Sequence, residues 1–328
     1  FLANLPTLGP NSLVNREDRA AYGNDSAEMA LLNPIDNRFK EFALLYCRDQ
    51  ISVDLYAMAE QQSSSQYLDL ASLNGLCKFT GGIVEDYSTD ATEKLYGDVV
   101  RALTRETGFE AVMRVRASTG LKISNFYGNL FIRGHDLLAL PNIDADKAFG
   151  IEFEHTGSFV STPNASVQVA VLYTSSSGQR RIRVHNLVLP ITAELSDMYK
   201  DVDLDATMNL MAKIAVDNVP RKGLTWVKND IRDRVVRCLA TYKQVVKQGV
   251  GFSQLVLPDS LRLLPLYACA LTKQDALMGG QEVRADERIY AFSCLTTGNT
   301  WQTNLMIHPL AFAINEIDNG VNHYGGHH

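Results

Sequence analysis

Two arginines, Arg114 and Arg116, have the residue type and spacing in this chain that most clearly allow binding chemistry. They alternate with Met113 and Val115 in an apolar run, which predicts a β-strand. Because alternate side chains of a strand point to one face, both guanidinium groups are expected on the same side. Each guanidinium can donate two parallel hydrogen bonds to one carboxylate, so the pair suits an acidic ligand. The alternative is that both arginines are solvated on the outer face of a sheet.

A second basic stretch contains Arg181 and Arg183, which share one strand face in the same way. RNA binding would require aromatic side chains on which bases stack, and only Tyr173 lies near this stretch. The chain has 31 basic and 37 acidic residues, a net charge of -6, which is opposite to the basic excess of a non-specific nucleic-acid binder. We therefore predict a charged sheet edge that opposes aggregation, and no nucleic-acid partner.

Catalytic and metal-binding signatures are missing from the sequence. It contains none of the motifs GxGxxG, GxxxxGK[ST], HExxH and GxSxG. The five cysteines lie far apart without CxxC spacing, so each is predicted to be a small buried hydrophobic residue in a protein of a reducing compartment. No apolar run reaches the length of a membrane span. These observations favour a cytosolic protein that is not an enzyme and has no metal site.

The order of predicted elements indicates a multidomain α+β chain. Up to residue 106, helices near residues 37–49 and 68–79 alternate with short strands near 51–56 and 83–84, which is typical of a partial α/β domain with a parallel sheet. A further helix, which Asp90 could cap, is expected to bury a stripe of Leu95, Val99 and Leu103. With so few strands, this first part is predicted to begin in mid-domain, so the chain is expected to be a fragment.

The pattern changes twice after residue 106. Strands near residues 111–116, 129–133, 148–154, 167–173 and 181–188, separated by turns, predict a β-sandwich over 107–189. From 190 to 296 the period becomes helical, with helices over 205–219 (ending at Pro220) and 225–247 and further helices opening near 258 and 285, which predicts an all-α domain. Residues 301–309 suggest a strand.

Seven segments in this order resemble the cargo-adaptor subunits of the COPII vesicle coat, the Sec24 family. None of them would suffice alone, but together they extend over most of the chain. They are LPTLGP at residues 5–10, NRED at 15–18, QYLDLASL at 66–73, MRVRASTG at 113–120, QRRIRVHNL at 179–187, LPDS at 257–260 and DER at 286–288.

The resemblance implies a particular domain organisation. Residues 1–106 would be the C-terminal half of a von Willebrand A-like trunk, 107–189 the β-sandwich, 190–296 the helical domain, and 297–328 the start of a gelsolin-like domain or a tail. It implies no cofactor in this segment, because the structural zinc of the family is expected in an N-terminal ribbon that this sequence lacks.

The resemblance also implies a function in transport from the endoplasmic reticulum to the Golgi. Such an adaptor binds export signals on the cytosolic tails of membrane cargo and SNARE proteins, and its trunk pairs with the Sec23 subunit, so that the Sar GTPase is an indirect partner. It is cytoplasmic and peripheral on the endoplasmic reticulum membrane and COPII vesicles. In the family the MRVR arginines line a pocket for acidic signals, here Arg114 and Arg116, together with an apolar residue that is either Val171 or Leu172.

Two alternatives are less favoured by the sequence. The sister coat subunit, a GTPase activator for Sar, shares the domain order, but the MRVRASTG and LPDSLRLLPLY stretches resemble the adaptor. A metal-dependent enzyme built on the α/β part would use an Asp-x-Ser-x-Ser motif, which is absent from this sequence.

Overall fold

The computed structural model describes residues 1–58, 67–87, 91–157, 163–245 and 256–308. In the first part of the chain, helices alternate with two short strands that pair in parallel, Leu55 opposite Val84. The α/β prediction for this part is therefore confirmed. Its elements are α1 (Asp25–Leu32), α2 (Arg38–Arg48), β1 (Leu55–Met58), α3 (Leu70–Thr80), β2 (Val84–Tyr87) and α4 (Thr92–Thr104).

Helix α4 differs from its prediction. It forms where expected, but none of its residues is buried, and Leu103 is 80% exposed. It is held by polar contacts: the Tyr87 hydroxyl donates to Asp98 over 2.8 Å, and Arg101 pairs with Asp146 at 2.7 Å. An apolar stripe becomes buried only where another layer covers it, and the neighbouring sheet has two strands among the described residues. The predicted cap Asp90 lies outside the described residues.

The middle of the chain is a β-sandwich, as predicted. A five-stranded antiparallel sheet in the order β5-β6-β3-β8-β9 packs against a two-stranded sheet, β4-β7. Strands β4 and β6 were not anticipated, and the strand expected over 129–133 is only two residues long. The strands are β3 (Thr107–Ala117), β4 (Leu121–Tyr127), β5 (Phe131–Ile132), β6 (Leu137–Asp144), β7 (Gly150–His155), β8 (Asn164–Ser175) and β9 (Arg180–Pro190).

The last part is all-α, also as predicted. Its core merges with that of the first part: Leu68 and Leu70 belong to the same buried cluster as Met208 and Leu295. The helices are α5 (Leu195–Lys200), α6 (Leu204–Lys222), α7 (Leu224–Val245), α8 (Leu264–Leu271), α9 (Ala285–Thr297) and α10 (Thr300–Ile307).

Two boundary expectations in this part are wrong. Helix α6 continues through Pro220 to Lys222 instead of stopping before the proline. The strand expected from residue 301 is helix α10, because Asn299 and Gln302 form a reciprocal capping box that starts a helix. Residues 309–328 lie outside the described part, so a gelsolin-like start there remains a prediction.

Polar contacts join the segments that carry the family resemblance. Arg284 donates to both carboxylate oxygens of Glu17, the shorter contact being 2.8 Å. The carboxylate of Asp286 accepts the backbone N–H groups of Leu68 and Leu70 at 2.6 and 2.8 Å. The start of α9 is thereby attached to the first part of the chain at two places.

Two further ion pairs lie near this junction, one within the first part of the chain and one between the first and last parts. Arg16 contacts Asp69 at 2.6 Å, with the aspartate side chain fully buried. Arg288 lies 3.1 Å from Glu28, and both side chains are almost completely removed from solvent. Paired and hydrogen-bonded charges of this kind fix the geometry of an interface, since breaking one pair leaves a buried charge unpaired.

Some predicted absences can be examined only within the described ranges. There, none of the helices has the length and apolarity that crossing a lipid bilayer requires. The same ranges contain no group of three His, Cys, Asp or Glu residues arranged to hold a metal ion. Cys47 and Cys77 are buried, as predicted, whereas Cys269 is exposed.

Candidate binding face of the large sheet

Strand β3 places the two predicted arginines on one face. Burial alternates along the strand: Met113 and Val115 are buried in the sandwich core, and Arg114 and Arg116 are exposed. The predicted common orientation of the two guanidinium groups is therefore confirmed. Their strand is the middle one of the five-stranded sheet, so neighbouring strands flank the pair on both sides.

The register of β3, β8 and β9 defines the surroundings of the pair. Directly paired residues of antiparallel strands point to the same face. Three rows therefore lie side by side, and we call them the arginine face. They are Val112, Leu172 and Ile182; Arg114, Ala170 and Val184; and Arg116, Gln168 and Asn186.

The rows of the arginine face differ in chemistry. The first row is entirely apolar, and Ile182 is 69% exposed. In the second row the small side chain of Ala170 separates Arg114 from Val184. In the third row Gln168 donates to Asn186 over 2.9 Å. The face thus presents two cations beside an apolar row in which Ile182 is exposed and Val112 and Leu172 are half-buried, a combination that fits a ligand with both acidic and apolar groups.

The two apolar residues left open by the sequence lie on opposite faces. Val171 is 8% exposed, pairs with Met113 and belongs to the sandwich core. Leu172 pairs with Val112 and lies on the arginine face. The structure brings Leu172, and not Val171, to the side of Arg114 and Arg116.

The two arginines differ in their electrostatic surroundings. Arg114 Nε lies 3.3 Å from a carboxylate oxygen of Asp136, and the Arg114 side chain is 46% exposed. Arg116 has no ion pair within the part of the chain that the structure describes. No local sequence pattern reveals the contact with Asp136, because it is made between neighbouring strands of the sheet.

Arg181 and Arg183 lie on the other face of the sheet. Both share one side of β9, as predicted, and pair in register with Tyr173 and Val171. Arg183 donates to the Tyr173 hydroxyl over 2.9 Å, a bond that raises the pKa of Arg183. Strand β9 ends the sheet among the described strands, in agreement with the predicted charged edge.

Comparison with known protein families identifies each structural part. Residues 1–103 match the Sec23/Sec24 trunk domain, residues 108–192 the Sec23/Sec24 beta-sandwich domain, and residues 203–304 the Sec23/Sec24 helical domain. Three consecutive matches in the order of the observed parts leave few residues unassigned. The chain belongs to the Sec23/Sec24 family.

Similar proteins place the chain on the Sec24 side of this family, which confirms the resemblance. The chain is 38% identical to human protein transport protein Sec24B over 98% of its own length, and 36% identical to protein transport protein SEC24 A of Arabidopsis thaliana over 96%. It spans 26% and 30% of those two proteins. The crystal structure of the human COPII-coat protein Sec24c superimposes with a TM-score of 0.85 at 32% identity, covering 93% of this chain and 40% of that one.

Proposed function

We propose that this chain is part of a COPII coat adaptor that binds acidic export signals on its arginine face. The signals would be segments of the cytosolic tails of membrane cargo and SNARE proteins selected for transport from the endoplasmic reticulum to the Golgi. The adaptor acts by binding and not by catalysis. It works in the cytoplasm, peripherally on the endoplasmic reticulum membrane and COPII vesicles.

The register of the arginine face is the observation that supports this proposal most. Arg114 and Arg116 can each bind a carboxylate, while Leu172 and Ile182 offer apolar contact in the row next to Arg114. A charge-assisted hydrogen bond contributes about 1.5–3 kcal/mol, part of which solvent and salt offset. Affinities in the high micromolar range follow, and a coat that displays many such sites adds them through effective concentration.

The partners follow from the family. The first part of the chain matches the trunk domain, and through it we propose pairing with the Sec23 subunit and an indirect link to the Sar GTPase. The alternative role, GTPase activator for Sar, is disfavoured because the similar proteins carry Sec24 names. Measuring GTP hydrolysis by Sar with and without this chain distinguishes the two, since an adaptor alone leaves the rate unchanged.

Calorimetric titration with a di-acidic cargo-tail peptide tests the binding proposal. Wild type is compared with Arg114→Ala/Arg116→Ala, and the matched control is Arg181→Ala/Arg183→Ala. The control removes the same charge at the same spacing from the other face of the sheet. Circular dichroism establishes that each variant is folded.

We expect the first double variant to lose binding at least tenfold and the control to retain it. Equal losses of peptide affinity in both double variants would show that the overall charge of the protein, and not the arginine face, determines binding. Equal binding by all three proteins would return Arg114 and Arg116 to the role of solvated surface residues.

A further inference from the structure

The carboxylate beside Arg114 is held in place by the backbone. Asp136 ends the turn between β5 and β6, and its carbonyl oxygen accepts the N–H of Val115 over 3.0 Å. The next residue, Leu137, lies directly opposite Arg114 in the sheet. The backbone of Asp136 is therefore fixed by the sheet, and its side chain contacts Arg114 from a defined position.

The contact with Asp136 involves one nitrogen atom of the Arg114 guanidinium group. Oδ2 of Asp136 lies 3.3 Å from Nε of Arg114, and the aspartate side chain is 22% exposed. A ligand carboxylate that approaches Arg114 thus meets another carboxylate already there. Among the described residues, no carboxylate forms an ion pair with Arg116.

We propose that Asp136 masks Arg114, so that the arginine face presents one open cation, Arg116, and one that a ligand must uncover. This inference rests on the proposed function and goes further by assigning a specificity role to Asp136. A ligand with a single carboxylate binds through Arg116. A ligand with two carboxylates reaches Arg114 as well, but only by displacing Asp136.

The strength of this competition is limited. Exposed ion pairs contribute little, so releasing Arg114 from Asp136 should tighten the binding of a two-carboxylate ligand by up to about fivefold. Repulsion between Asp136 and the second ligand carboxylate acts in the same direction. Binding of a one-carboxylate ligand should change less, because that ligand does not depend on Arg114.

A double-mutant cycle isolates the masking from general charge effects. Asp136→Asn keeps the size of the side chain and leaves the main-chain hydrogen bond to Val115 in place. It is measured with Arg114 present and with Arg114→Ala. The probes are two labelled, terminally blocked peptides, one with two acidic residues and one in which the second acid is glutamine. Fluorescence anisotropy is recorded at one fixed pH for all proteins and both peptides.

Glu110→Gln is the matched control variant. It removes one negative charge from β3, the strand that carries Arg114, at a carboxylate that pairs with Arg180 and not with Arg114 or Arg116. Any change that both variants share is a long-range field effect. The effect of masking is the additional gain in peptide affinity that Asp136→Asn shows over Glu110→Gln. This additional gain should vanish when Arg114 is replaced by alanine.

A second readout does not depend on peptide binding. Phenylglyoxal modifies free guanidinium groups, and mass spectrometry follows the two arginines separately. Masking predicts that Arg114 reacts more slowly than Arg116 in wild type and gains reactivity in Asp136→Asn.

Tighter di-acidic binding that requires Arg114, together with faster labelling of Arg114, supports the inference. Unchanged labelling and unchanged binding in Asp136→Asn would overturn it while leaving the proposed function intact. If no protein binds either peptide, the proposed function fails, and the labelling rates alone decide whether Asp136 masks Arg114.

Discussion

Two consecutive residues of β8 have different roles, one in the sandwich core and one on the arginine face. Val171 faces the sandwich core, and Leu172 faces the exposed arginines. The sequence offered both residues as candidates, because a run of consecutive apolar residues does not indicate which side chains face the core. Only the pairing of Val171 with Met113 decides which of the two turns inward.

Alanine at these two positions should have separate effects. Val171→Ala removes two buried methyl groups and should lower the free energy of unfolding by about 2 kcal/mol, leaving peptide affinity nearly unchanged. Leu172→Ala should cost less than about 1 kcal/mol of stability and weaken the di-acidic peptide severalfold. Urea unfolding and calorimetric titration measure the two quantities, and equal stability losses would contradict the assignment of faces.

Two elements of the chain depend on a single residue at their ends. Helix α9 ends against Lys213 of α6, whose Nζ donates to the carbonyl oxygens of Leu295, Thr296 and Gly298 at 3.3, 2.7 and 2.8 Å. A cation suits the carbonyl end of a helix. Burial nevertheless lowers the pKa of Lys213 to about 8.

The buried ammonium should give stability a distinctive pH dependence. In the unfolded chain a lysine titrates near 10.4, so between pH 8 and 10 the unfolded state binds more protons than the folded state. Stability therefore rises with pH in this range relative to Lys213→Met, which has no such group. Thermal unfolding of both proteins from pH 7.5 to 10 measures the difference, and parallel curves would refute a lowered pKa.

The turn that connects β3 to β4, strands of two different sheets, depends on a glycine of the MRVRASTG segment. Gly120 has φ +99°, in the region that other residues rarely adopt. Gly120→Ala should therefore lower stability by about 1–3 kcal/mol. Gly97→Ala is the control: it lies within α4, where a methyl group meets nothing within 4 Å. It should raise stability by about 0.5–1 kcal/mol, and a similar loss in both would argue against backbone strain.

Sequence periodicity predicted the helices and strands whose buried and exposed residues alternate regularly. It failed for elements whose burial depends on neighbouring strands and helices. Alternation located β3, β8 and β9, and helical spacing located α6, α7 and α9. Strand β6 was missed because Leu138, Ala139 and Leu140 are all buried and show no alternation. The same limit applies to the site: spacing showed that Arg114 and Arg116 share a face, but a contact with Asp136 depends on sheet register.

The molecule as a whole is joined by charges that are buried between its first and last parts. Arg288 and Glu28 are 0% and 2% exposed, and burial lowers the pKa of Arg288. Arg288 also donates to the carbonyl of Met278 over 2.7 Å. Such a pair adds little net stability when intact, but either half alone is costly.

Arg288→Met should lower the free energy of unfolding by about 3–5 kcal/mol, because Glu28 would remain buried without its partner. Adding Glu28→Leu should restore part of that loss. The control is Arg232→Met, since Arg232 and Asp233 form an exposed pair at 3.4 Å whose loss should cost less than about 1 kcal/mol. Chemical denaturation compares the variants, and a single change at Arg288 as mild as the control would disprove the role of this pair.

The contact of Asp286 with the amides of Leu68 and Leu70 has a consequence for biosynthesis. On the ribosome, 216 residues must be added after Leu70 before Asp286 exists. Domains usually fold in the order in which they are made. Here the amides of Leu68 and Leu70 cannot reach their acceptor until Asp286 has been translated, so this part of the trunk cannot complete its hydrogen bonds before the start of α9 has been made.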